Sequence, residues 1–76
     1  MPAKPYNGHA SWNQWNVSLW INNDESLYSE AVRLARKHGV EKGARFMAAN
    51  LDGEKTPDGG RYNVTAIRNA MRGILD

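Results

Sequence analysis

The sequence predicts an all-α fold, a compact bundle of about four short helices. Three observations lead there. Apolar residues recur at three- and four-residue spacing in separate stretches between residues 24 and 75. Residues that cap helices stand where these stretches begin, at Asp24 and Asn63, and glycines follow where two of them end, at Gly39 and Gly53. Only one segment, residues 11–22, alternates in the manner of a strand, and a lone strand leaves its backbone groups without partners.

Seventy-six residues make one domain, and a chain of this size buries a modest share of its surface. Without cysteine there is no disulfide framework, and two histidines without cysteine exclude the usual structural zinc sites. Stability must come from apolar side chains, with three tryptophans contributing by area at ~25 cal/mol/Å². Residues 1–9 read as a flexible lead-in, with Tyr6 able to fold back, and residues 10–76 as a single helical domain. The start of the chain lacks the apolar run of a signal peptide, and no stretch approaches the ~18 apolar residues of a membrane span. The chain reads as cytoplasmic, with no membrane partner. A formal charge of +2 demands no particular ligand, so its distribution matters more.

Residues 11–22 fit two periods. Trp15, Val17, Leu19 and Ile21 alternate with polar neighbours, whereas a helix puts Trp12, Trp15 or Asn16, Leu19 and Trp20 on one stripe. The capping-box spacing of Ser11 and Gln14 favours the helix, which should end at Asn22 and Asn23. Its tryptophans read as core, with one of them left partly exposed, and the asparagines around them as backbone or indole partners.

Residues 24–38 form the clearest helix. Asn23 or Asp24 caps it, Asp24 and Glu25 suit its positive end, and Leu27, Tyr28, Ala31, Leu34 and Ala35 share one face. Gly39 follows as the left-handed residue after the last turn. Residues 40–51 form a shorter helix with Phe46, Met47, Asn50 and Leu51 as its apolar stripe, joined by Val40 or Ala44. Gly43 inside it costs ~1 kcal/mol relative to alanine, and Gly53 stops it. Residues 54–62 are a loop built on the turn chemistry of Thr56-Pro57-Asp58-Gly59-Gly60. Residues 63–75 are the last helix. Asn63 is its N-cap, Tyr62 and Ile67 have hydrophobic-staple spacing, and Ile67, Ala70, Met71, Ile74 and Leu75 form its buried stripe.

Three features bear on function. Arg33, Arg36, Lys37, Lys42 and Arg45 lie close in sequence with only Glu41 among them, a patch that attracts phosphate backbones or acidic protein surfaces and is otherwise a solvated helical face. Arg61, Arg68 and Arg72 form a second candidate surface. The run Leu34-Ala35-Arg36-Lys37-His38-Gly39-Val40 has the form of a helix-turn-helix, which would present Lys42, Arg45 and Asn50 to DNA. Two departures count against it: His38 stands at an apolar position, and Phe46 lies one place beyond the apolar residue expected at Arg45. A tight helical hairpin has the same pattern. His9 and His38 have no nucleophile at informative spacing, so the expectation is no enzyme, no cofactor and no metal.

The stretch Tyr6-Asn7-Gly8, followed by Ser11-Trp12-Asn13, Trp15-Asn16-Val17-Ser18-Leu19-Trp20-Ile21-Asn22-Asn23-Asp24-Glu25 and Leu27-Tyr28, resembles small phage, prophage and plasmid proteins of unknown function. The later chain matches them only in the Thr56-Pro57-Asp58-Gly59 turn. The resemblance implies a mobile-element origin in a bacterial host and brings no activity with it. By analogy with other very small phage proteins, it implies an interaction protein such as an anti-CRISPR-type inhibitor of a host defence nucleoprotein complex. The partner would then be a host protein or nucleoprotein complex, with nucleic acid as a possible direct contact. A small helix-turn-helix regulator is the alternative.

Overall fold

Four helices fill the computed structural model, which describes residues 9–75. They are α1 (Trp12–Asn23), α2 (Glu25–His38), α3 (Val40–Leu51) and α4 (Val64–Leu75). The expected lead-in, with Tyr6, lies outside the described residues except for His9, and so does Asp76.

Local capping decides each start. The Ser11 hydroxyl accepts the Gln14 N–H at 3.1 Å, which settles the ambiguous segment as a helix. Asp24 leaves α1 in an extended conformation and caps α2 at once, its carboxylate accepting the Leu27 N–H at 3.0 Å. Asn63 caps α4 by accepting the Ala66 N–H at 2.8 Å. Gly39 alone joins α2 to α3, with φ 85° and ψ 162°. The positive φ was expected; the extended ψ was not, and it places Gly39 in a region open essentially to glycine only. After α3 the left-handed conformation does occur, at Asp52 with φ 42° and ψ 57°.

The core draws on all four helices: Val17 and Ile21 from α1, Ala31, Leu34 and Ala35 from α2, Ala44 and Met47 from α3, and Ala66, Ile67, Ala70 and Met71 from α4. Small side chains let α2 and α3 cross closely. A Cβ on Gly43 would lie 2.9 Å from the Leu34 carbonyl oxygen, so the cost of this glycine within a helix is offset by the approach it permits.

The burial of two helices differs from expectation. The tryptophans are not the core of α1. Trp12 is 39% exposed, Trp15 and Trp20 are half-buried, and the buried residues are Asn16, Val17 and Ile21. α1 carries no charged residue and has large apolar side chains all round, so its periodicity selects no face. Its packing against α4 and α2 uses the side that carries Val17 and Ile21. In α3 the buried residues are Gly43, Ala44 and Met47, with Val40 and Leu51 packed at the edge of the core. Phe46, 48% exposed, and Asn50 face solvent rather than completing the stripe. The tight crossing with α2 has room for glycine and alanine but not for a phenylalanine ring. Tyr28 and Leu75, assigned to buried stripes, are also exposed. Among the described residues no helix is long and apolar enough to cross a membrane.

Candidate interaction surface

Residues 52–63 fold back on themselves and dock on α1. Within the loop, Thr56 N–H donates to the Gly60 carbonyl at 2.8 Å and Gly59 N–H to the Thr56 carbonyl at 2.9 Å, while Lys55 and Arg61 pair as an isolated antiparallel bridge. Two asparagines one turn apart hold this turn against the helix. Asn13 Oδ1 accepts the Arg61 N–H at 2.6 Å, and its Nδ2 donates to the Arg61 carbonyl at 2.9 Å. Asn16, fully buried, accepts from the Thr56 hydroxyl and donates to Asp58 Oδ2 at 2.9 Å. The Trp20 indole N–H donates to the same oxygen at 2.8 Å. Gly60 has to be a glycine, because a Cβ there would lie 2.7 Å from Asn16 Oδ1.

The hydrogen bond from Asn16, and after it the one from Trp20, hold the Asp58 carboxyl below its ordinary value of 3.8. With the folded value depressed, the unfolded chain binds more protons in the acid range. The stability that Asp58 adds is fully present above its ordinary value and is lost as pH falls through the lower folded value. Thermal unfolding from about pH 5 downwards is therefore expected to show the native protein losing stability below about pH 4 more steeply than Asp58→Asn. Parallel curves for the two proteins are the contrary result.

The five cations of the first candidate surface are all exposed. Arg33, Arg36 and Lys37 lie on the side of α2 away from Ala31, Leu34 and Ala35, and Lys42 and Arg45 on the side of α3 away from Ala44 and Met47. Arg33 approaches Glu30 at 4.0 Å, an exposed pair of small energetic weight. No described carboxylate lies within ion-pair distance of the other four. Glu41, the one acid among them in sequence, turns to α4 and meets both Arg68 and Arg72 at 3.2 Å.

This pairing divides the second candidate surface. Arg68 and Arg72 clamp Glu41 and tie α4 to α3, and Arg68 is partly buried rather than fully outside. Arg61 is held to α1 by its backbone and lines an open groove with Gly53, Glu54, Lys55, Tyr62 and Asn63. Burial, and then the negative charges of Asp24 and Glu54, push the Tyr62 phenol up, so it stays a neutral hydroxyl. A second groove is lined by His9, Trp15, Ser18, Leu19 and Asn22, with the His9 ring nitrogen Nδ1 hydrogen-bonded to the Asn69 amide at 2.9 Å.

A family described as a family of unknown function (DUF7249) matches residues 2–76. The chain belongs to that family. No curated protein and no solved structure gives a significant match. In this DUF7249 chain the two stretches singled out in the sequence, the tryptophan segment and the Thr56–Gly59 turn, prove to be partners across the loop-docking network. Sequence reasoning missed Thr56 and Asp58 as members of that network. It also missed Phe46 as an exposed ring within the basic surface.

Proposed function

We propose that the chain is a non-enzymatic interaction protein that offers the outer faces of α2 and α3 to an anionic partner. The observation that carries this reading is the unequal treatment of charge. Glu41 is drawn away to Arg68 and Arg72, while Arg36, Lys37, Lys42 and Arg45 stay exposed with no described counter-ion. Several other polar side chains support a non-enzymatic reading, because they already hold the fold. Ser11, Asp24 and Asn63 cap helices, and Asn13, Asn16, Thr56 and Asp58 dock the loop. The resemblance of the N-terminal stretch to phage and plasmid proteins supports a host defence nucleoprotein complex as the partner, and so an anti-CRISPR-type inhibitor.

The DNA-binding alternative has less support. α2 and α3 are joined by Gly39 alone, whereas a helix-turn-helix takes a turn of three to four residues.

Capture from a bacterial lysate that contains a CRISPR effector complex tests the proposal. The triple variant Arg33→Glu, Arg36→Glu, Lys37→Glu is expected to fold like the native protein and to lose the partner. Undiminished capture by a folded triple variant would remove this surface from the account. A gel shift on random duplex DNA addresses the alternative, which demands a complex that weakens steeply with salt.

A further inference from the structure

We infer that the α2–α3 surface binds single-stranded nucleic acid, with Phe46 as the stacking platform for a base and Lys37, Lys42 and Arg45 as phosphate contacts around it. This rests on the basic surface described above and names the chemistry of its partner.

Phe46 is the most exposed of the large hydrophobic side chains among the described residues, at 48%. Its position sets it apart from a stray surface aromatic. Lys42 precedes it by one helical turn and Arg45 is its neighbour, both exposed on the outer side of α3, and Asn50, also exposed, follows one turn later. The ring is not loose. His38 packs against it with centroids 4.5 Å apart and planes tilted by 45°, while close to half of the residue stays open to solvent. His38 ends α2 next to Arg36 and Lys37, so the ring pair joins the cationic last turn of α2 to the cationic face of α3. Beneath it, the close crossing at Gly43 holds the two helices in one arrangement. Glu41, the one acid among these cations in sequence, is ion-paired with Arg68 and Arg72 on α4.

Charge complementarity selects the occupant. An acidic peptide matches the cations but engages the ring only where its sequence also carries an apolar or aromatic residue, and an apolar peptide matches the ring while desolvating the cations. A nucleotide brings both an aromatic face and an anion. In a duplex the base faces are already stacked, so the ring requires an unpaired strand.

Fluorescence anisotropy with labelled oligo-dT, oligo-U and a mixed-sequence duplex of equal length, over a series of salt concentrations, tests the inference. The native protein is expected to bind the single strands more tightly than the duplex, with affinity falling as salt rises. Oligo-U against oligo-dT distinguishes RNA from DNA as the source of the same chemistry. Phe46→Ala is expected to fold normally and to weaken single-strand binding about five-fold or more, the low end of one lost base stack, with the salt dependence unchanged. Phe46→Tyr should keep the affinity, and Phe46→Leu, apolar but without a π-face, should not. The double variant Lys42→Glu, Arg45→Glu should flatten the salt dependence. Phe46→Ala binding as tightly as the native protein, or a preference for duplex, overturns the inference. If the native protein binds no oligonucleotide while the Arg33, Arg36 and Lys37 reversal still loses a host partner, the inference falls and the interaction-surface reading stands.

Discussion

Replacing Gly43 by valine is expected to leave the chain unfolded at room temperature. The first added carbon would lie 2.9 Å from the Leu34 carbonyl oxygen, 3.0 Å from its carbonyl carbon and 3.1 Å from the Ala35 nitrogen. These are backbone atoms of another helix, and no rotamer moves them aside. Valine then adds two methyl groups with one strongly preferred χ1 rotamer in a helix. Relief requires α2 and α3 to separate, and that separation opens the packing of Ala35, Ala44 and Met47 in the middle of the core. Overpacking in a core commonly costs ~1–3 kcal/mol when side chains can shift, and more is expected where they cannot. A domain of this length has a total stability on the order of 4–11 kcal/mol. Circular dichroism at 25 °C should show the helical signal lost. Gly43→Ala gives the graded comparison. Alanine gains ~1 kcal/mol of helix propensity, yet its melting temperature should fall below that of the native protein. An alanine variant more stable than the native protein would show that the two backbones are not in tight contact.

Gly43 also shows what a sequence does and does not reveal. Read locally, it is a cost within a helix; the contact that explains it is made to Leu34, on a different helix. Features set by neighbours in sequence were legible. Ser11, Asp24 and Asn63 cap where they were expected to, and the faces of α2 and α4 follow their periodicity at Ala31, Leu34, Ala35, Ile67, Ala70 and Met71. Features set by the space between helices were not. Phe46 has the size and hydrophobicity of a core residue, but the fully buried positions of α3 are Gly43, Ala44 and Met47, with Val40, Ala48 and Leu51 packed at the edge of the core. α1 has apolar residues on every side, so only its docking partners decide which are buried. The basic surface was legible as composition, because five cations within a few turns of helix must reach solvent. The engagement of Glu41 by Arg68 and Arg72 was not, because it spans 27 and 31 residues.

Asn16→Ala is expected to be the most damaging truncation of a polar residue in the chain, at a cost of roughly 2–4 kcal/mol. Asn16 occupies an interior position of α1, yet its amide links the helix to residues 40 and 42 positions away. Without it, the buried Thr56 hydroxyl has no acceptor and Asp58 keeps only the Trp20 indole. A buried polar group left unmatched costs ~1–3 kcal/mol, and the vacated volume adds to this. The loop should detach from α1 before the helices part, because the core residues Val17 and Ile21 are untouched. Hydrogen exchange is then expected to quicken at Gly60, whose N–H donates to Thr56 Oγ1 at 2.8 Å, more than at Met71 or Met47. Asn16→Asp separates a role in the network from a role in filling space. The aspartate preserves the shape and still accepts from Thr56, but it turns a carboxylate oxygen toward that of Asp58. Two carboxylates in such a site raise the proton affinity of one of them. In this variant the folded pair binds a proton more readily than the unfolded chain does, so stability should rise as pH is lowered from neutral towards about pH 5. The native protein gains nothing from Asp58 over that range, because its depressed carboxyl is ionised throughout. Melting curves at neutral and mildly acid pH measure the difference. An Asn16→Asp variant with the pH dependence of the native protein would mean that Asn16 only fills space, and that the turn is held by Asn13 and Trp20.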